Sequence, residues 1–195
     1  MWAALPHRTG EKRKCVYRFR LMNDLKRYFQ KGFTFSRFLE ETRESKHPWQ
    51  QFYQRARAPE DLLSAARGLP GSWRFLALCE EWCGDGANSL PYLARAVEAV
   101  EKLDLRVLSR DANPELMDRY LTHGNRAIPV VIVLDEAFRE VGWWGPRPAP
   151  LQELFLREIK PLPKEDRYPR LRAWYARDRG RTALKEIFQI LPVLV

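Results

Sequence analysis

"WRFLALCEEWCGDG", residues 73–86, changes character twice over a short span. Trp73 to Cys79 form a mostly apolar run of strand length. Glu80 to Gly86 then crowd carboxylates, a Trp-Cys pair and two glycines into a turn. Downstream, "GANSLPYLARAVEAVEKL", 86–103, sets Leu90, Leu93, Ala94, Val97 and Val100 at spacings of three and four. That is the pattern of a helix with one apolar face. Pro91 inside it predicts a kink or an early turn. Cys83 therefore falls after a buried strand and just before a helix, where unpaired backbone N–H groups and the positive end of the helix dipole face it. This is the standard setting for an activated thiol. Gly84 and Gly86 allow a tight turn that leaves the sulfur accessible, and Trp82 shields one side. The acidic neighbours Glu80, Glu81 and Asp85 act against activation. A helix end is worth about 0.3–1 kcal/mol to a charge in its first turn, and one carboxylate at roughly 4–6 Å offsets it. The balance predicts an exposed, only modestly activated Cys83.

The rest of the chain alternates. "LRVLSRD", 105–111, reads as a strand. "NPELMDRYLTHG", 113–124, reads as a helix capped by Asn113, with Pro114 at its first position, His123 as a cation near its end and Gly124 as its stop. "PVVIVLD", 129–135, is a buried strand rich in β-branched residues, and "FREVGWWG", 138–145, alternates as another. "PLQELFLREI", 150–159, closes the run as a helix. The order β-α-β-α-β-β-α predicts an α/β fold: a mixed sheet with helices on both faces. Its first three strands should be parallel, joined by helical crossovers, and its last two an antiparallel hairpin.

Around this core, residues 11–45 read as helical with a break at Gly32, and "HPW", 47–49, marks a boundary. "APEDLLSAARGLPG", 58–71, reads as a short helix with Pro59 in its first turn. Residues 160–169 form a proline-punctuated connector, and 170–191 one or two amphipathic helices with Gly180 between them. The division is an N-terminal helical extension over 1–57, a core over 58–159 and a C-terminal helical extension over 160–195 that packs on the core.

The 195 residues carry a net charge of +9, distributed as +8 over residues 1–70, −4 over 71–155 and +5 over 156–195. Basic flanks invite a nucleic-acid reading, but no nucleic-acid motif is present, and solvated Arg-rich helix faces explain the charge. Nucleic acid is thus not the expected partner. No apolar run approaches a membrane helix. Trp2 to Leu5 is too short for a secretory signal, so the expected location is the cytoplasm. Three cysteines, Cys15, Cys79 and Cys83, are too few for a disulfide scaffold. His7, His47 and His123 have no metal-ligand spacing. Cys15 receives no role. Ser89 reads as a surface residue of its helix, and Trp143, Trp144 and Trp174 as core or seam residues. Arg147, in the "GPRP" turn of residues 145–148, reads first as part of a rigid turn, and otherwise as an anchor for an acidic partner or for a carboxylate at the cysteine's side.

Pro129 sits at the start of a buried strand, where proline is tolerated, and a cis Ile128–Pro129 bond would turn the chain sharply there. Strand and helix starts can meet at one sheet edge, which would bring Pro129 beside Cys83. "FLALCEEWCGDG", "RAIPVVIVLD" and "FREVGWWG" together resemble the thioredoxin superfamily. A closer resemblance is to a bacterial thioredoxin-like family carrying an EDWCGDA-type motif and WGPRP. Its marks stand here at Glu80 to Gly86, Arg110 to Thr122, Gly124 to Pro129, Trp144 to Pro148 and, in the tail, "WYARDRG" at 174–180. The resemblance implies a thioredoxin-like mixed sheet, Cys83 at a helix N-terminus and a cis Pro129 opposite. Trp82, Cys83, Gly84, Asp85, Gly86, Ile128 and Pro129 would form the site, and the backbone at Ala127 and Ile128 would face an extended substrate.

The chain departs from that pattern in three places. Gly86 stands where the resolving cysteine belongs, Asp85 replaces the motif's proline, and Ala77 falls where many thioredoxins bury an aspartate. Without a second thiolate, Cys83 attacks a disulfide and then waits. Release would come from an outside thiol such as glutathione or from Cys79, the one internal candidate, although Cys79 reads first as a small buried core residue. The resemblance implies thiol–disulfide exchange with protein or small-molecule partners through a mixed disulfide. Two alternatives stand beside it: a redox-silent binding module on the same fold, and a glutathione-dependent glutaredoxin-like activity. "CGDG" lacks the aromatic residue and serine usual for the last.

Overall fold

In the computed structural model, which describes residues 24–42 and 47–192, a five-stranded sheet is built around the apolar run quoted above. Residues 24–31 form α1, followed by β1 (Phe33–Thr34), α2 (Phe35–Glu41), α3 (Trp49–Arg55) and α4 (Glu60–Gly68). Then come β2 (Trp73–Cys79), α5 (Gly84–Ala99), β3 (Leu103–Ser109), α6 (Pro114–Met117), β4 (Val130–Leu134) and β5 (Glu140–Trp144). The chain ends in α7 (Ala149–Leu154), which widens into a π turn over Phe155–Ile159, and in α8 (Lys164–Asp178) and α9 (Arg181–Gln189). Cys15 and the predicted N-terminal helical stretch up to residue 23 lie outside the described residues.

The strand order is β1-β3-β2-β4-β5, so β2 is central. Its burial explains its composition: Phe75, Leu76, Ala77 and Leu78 have no solvent exposure, as a strand covered on both faces requires. β2 pairs parallel with β3 but antiparallel with β4, with Leu78 opposite Val130 and Ala77 opposite Val131. The expectation of three parallel strands fails at β4. A parallel return calls for a helical crossover along β3, and the connection forms only the four-residue α6. The chain stays at the same end of the sheet and enters β4 from there, antiparallel to β2. The helix foreseen to Gly124 stops at Met117. His123 caps nothing. With Gly124 it forms a tight turn at φ 49° and 75°, between the bridged residues Thr122 and Asn125.

β1 adds a short antiparallel edge to β3, so a segment read as extension joins the sheet. α3 packs on α5, and α9 packs on α4, α5 and β5. Glu186 of α9 accepts hydrogen bonds from the Trp144 indole at 2.7 Å and from the Ala149 N–H at 2.9 Å, which fixes the turn between β5 and α7. α8 starts at Lys164, inside the predicted connector, and carries Pro169 within it. A second apolar cluster of Leu151, Ile159 and Tyr175, flanked by Phe155, Leu171 and Trp174, holds α8 against α7 and the π turn. This cluster brings α8 over the end of the sheet where β2, α5 and β4 meet.

Candidate active site

The turn from Glu80 to Cys83 closes with the Cys83 N–H on the Glu80 carbonyl at 3.0 Å, and Cys83 becomes the N-cap of α5. Its Sγ accepts the Gly86 N–H at 3.2 Å and donates to the Ile128 carbonyl at 3.4 Å. The sulfur thus bridges the start of α5 and the residue before Pro129, and the Ile128–Pro129 bond is cis. The reversal of β4 makes this meeting: Pro129 precedes Val130, which faces Leu78 near the end of β2. A negative charge forming on the sulfur would meet the Gly86 N–H and the helix end. Gly145 backs the proline. Its φ of 136° and a carbonyl of Pro129 lying where a β-carbon would go leave room only for glycine. The following Gly145–Pro146 bond is also cis.

Cys83 is 5 % exposed. The expectation of an open sulfur fails because Ile128, Pro129 and the first turn of α5 close around it. It borders a cavity of about 800 Å³ with Trp82, Gly84, Asp85, Ala127, Ile128 and Arg147 in its wall. The feared acidic surround is also dispersed. The Glu80 carboxylate accepts from Ser109 Oγ and the Asp111 N–H, both at 2.8 Å, at the end of β3. Asp85 forms a 2.6 Å ion pair with Arg147 and accepts from the Tyr175 hydroxyl at 2.9 Å. The carboxylate that Arg147 anchors is thus the chain's own. Burial pushes Asp85 above its ordinary value while Arg147 and Tyr175 pull it down. Burial, with the Asp85 charge beside it, likewise pushes the Tyr175 hydroxyl up.

Several contacts that hold the turn were not visible in the sequence. The Trp49 indole donates to the Glu81 carbonyl at 2.7 Å, and the His47 ring nitrogen Nε2 bonds the Trp82 carbonyl at 3.0 Å. The Arg110 guanidinium lies 4.8 Å over the Trp82 ring, which is 50 % exposed. A histidine and a tryptophan at a boundary carry no local signal for a partner more than thirty residues away. Ser89, read as a surface residue, is buried. Trp144 is buried in the core, Trp143 packs edge-on to Tyr120, and Trp174 joins the α8 cluster.

The profile described as Thioredoxin matches residues 32–164, more than half of the chain. The chain belongs to the thioredoxin family. No curated protein matches it. Two solved structures are similar to this thioredoxin-family chain. One is a protein of unknown function from Pseudomonas aeruginosa, with a TM-score of 0.65 and 23 % identity, covering 84 % of this chain and 93 % of its own. The other is an HIV epitope-scaffold, with a TM-score of 0.62 and 23 % identity, covering 85 % and 95 %. At that identity the likeness speaks for the fold.

In this thioredoxin-family chain the position of the missing cysteine is filled from another element. A β-carbon at Gly86 would overlap Cys79 Sγ, lie 3.4 Å from Cys83 Sγ and press on the Trp49 ring at 3.2 Å. Both sulfurs border one small space. Cys79 is 1 % exposed, and burial, then the neighbouring Cys83, pushes its thiol well above the usual range. Restoring the usual motif by Gly86→Cys is therefore expected to cost about 1–3 kcal/mol from overpacking. Cys79→Ala/Gly86→Cys should regain most of that loss in chemical denaturation. Equal stability of the single variant and the wild type would contradict this packing.

Proposed function

We propose that the chain exchanges thiols and disulfides through Cys83, with Cys79 as the thiol that resolves the intermediate. The supporting observation is the placement of Cys83 Sγ between the Gly86 N–H and the Ile128 carbonyl, beside Pro129 and at the wall of a cavity. In the first step the Cys83 thiolate attacks one sulfur of a disulfide. The old S–S bond breaks, a Cys83 mixed disulfide forms, and the other half leaves as a thiolate that takes a proton from solvent. In the second step Cys79 Sγ attacks Cys83 Sγ. The substrate sulfur leaves with the Cys79 proton, and an internal disulfide remains. Two molecules of an external thiol of the glutathione type then reduce it and end as their own disulfide. A cytoplasmic setting, which keeps such thiols reduced, suits this cycle.

Treatment with a small disulfide, followed by intact-mass analysis and digestion, tests the assignment. Wild type should give an internal Cys79–Cys83 disulfide, while Cys79→Ala should stall as a mixed disulfide on Cys83. A wild type that also stalls would leave Cys79 as core and hand resolution to the external thiol. A Cys83 that never reacts would favour the binding module. Because burial holds Cys79 protonated, the resolving step should quicken as pH rises above neutral, about tenfold per pH unit while pH stays below the thiol's own value.

A further inference from the structure

The cavity beside Cys83 is strongly cationic. Arg110, Arg126 and Arg147 reach it from the core, and Lys164, Arg167 and Arg172 reach it from α8; among the described residues, Asp85 is the one carboxylate residue in its wall. The core cations are committed, Arg110 to Asp111, Arg126 to Asp118 and Arg147 to Asp85. The α8 cations are not: among the described residues, no carboxylate lies within 4.0 Å of Lys164, Arg167 or Arg172. Arg167 is oriented by its Nε–H on the Leu162 carbonyl at 2.8 Å, which leaves its terminal nitrogens for another acceptor. Three cations over one cavity repel one another unless an anion enters between them. The shape adds a second argument. α8, docked by the Tyr175 cluster and by the Tyr175–Asp85 bond, walls one side of the groove beside Cys83 and Ile128. The cavity volume of about 800 Å³ suits a small molecule.

Resting on the thiol-exchange reading, we propose that the substrate is a small anionic disulfide. Its carboxylate or phosphate groups lie against Arg167 and Arg172, and one sulfur lies at Cys83. The Cys83 thiolate attacks that sulfur, the S–S bond breaks, and the departing anionic thiolate takes a proton from solvent.

The test uses the full chain and three disulfides of similar size: 3,3′-dithiodipropionate (anionic), bis(2-hydroxyethyl) disulfide (neutral) and cystamine (cationic). Rates of reaction at Cys83 should fall in that order, by at least about tenfold from first to last at low salt. The spread should shrink to about twofold in ~0.5 M NaCl and in Arg167→Glu/Arg172→Glu. Calorimetry with 3,3′-thiodipropionate, an unreactive thioether, reads the anion site apart from the chemistry. It should bind wild type and Cys83→Ser alike and fail to bind the charge-reversed protein. Arg172→Gln, at an exposed position, should weaken binding without risk to the fold. Charge-independent rates, or no thioether binding, would overturn the anion site. A thioether that binds beside an inert Cys83 would instead overturn thiol exchange, and with it the disulfide as substrate.

Discussion

Replacing Cys83 by serine should reduce the exchange rate to background, a loss on the order of a thousandfold or more, as for any nucleophile that carries a covalent step. The measurement is reduction of a small disulfide with an external thiol as donor, run beside wild type. The substitution is informative because the fold has no need of sulfur there. A serine hydroxyl at an N-cap accepts the Gly86 N–H as well as the thiol does, and serine is a favoured residue at such positions. Stability in denaturant should fall by no more than about 1–2 kcal/mol, because the buried hydroxyl keeps both hydrogen-bond partners. A variant that is fully folded and inert assigns the chemistry to Cys83. A variant as fast as wild type with every donor would leave the chain as a thioredoxin-fold binding protein.

The second large effect is on stability and comes from Asp85. Its carboxylate is 13 % exposed and pairs with Arg147, itself 17 % exposed, with Tyr175 completing the site. Removing one member of a buried pair leaves the other charge unpaired, which typically costs about 3–5 kcal/mol. Asp85→Ala should show that loss in urea denaturation. Asp85→Leu/Arg147→Met, which removes both charges and keeps apolar volume, should recover most of it. The direction of the Asp85 shift supports this. Because burial raises its folded value, folding favours the protonated form. Its contribution is complete below the unfolded value of 3.8 and is lost as pH rises through the folded one. The pair therefore does little for net stability at neutral pH, and its importance is positional: it ties the cysteine's helix to the β5–α7 turn and to α8. A double variant as unstable as Asp85→Ala would refute the unpaired-charge account.

Much of this was readable in the chain. An apolar run, a glycine-flanked Trp-Cys pair and a helical repeat place Cys83 at a helix start through local rules alone. Pro129 reads locally as a turn or a strand start, and the resemblance to the thioredoxin superfamily is what marks it and Ile128 as site residues. What could not be read depends on partners distant in sequence. The direction of β4 depends on the path of residues 110–129, where the helix foreseen to Gly124 ends early, at Met117. Asp85 looked like a charge near the sulfur until Arg147 and Tyr175, sixty and ninety residues on, drew it away. Gly86 looked like an absence, and only the packed core shows Cys79 Sγ in the space its side chain would need.

Local sequence by itself determined the strand, the turn and the helix that present Cys83, because propensity, periodicity and glycine chemistry act over a few residues. Tertiary structure alone decided that the sulfur is buried, that a second sulfur stands beside it and that α8 lays cations over the cavity. Those facts follow from which surfaces can be buried together, and close packing settles that for the whole chain at once.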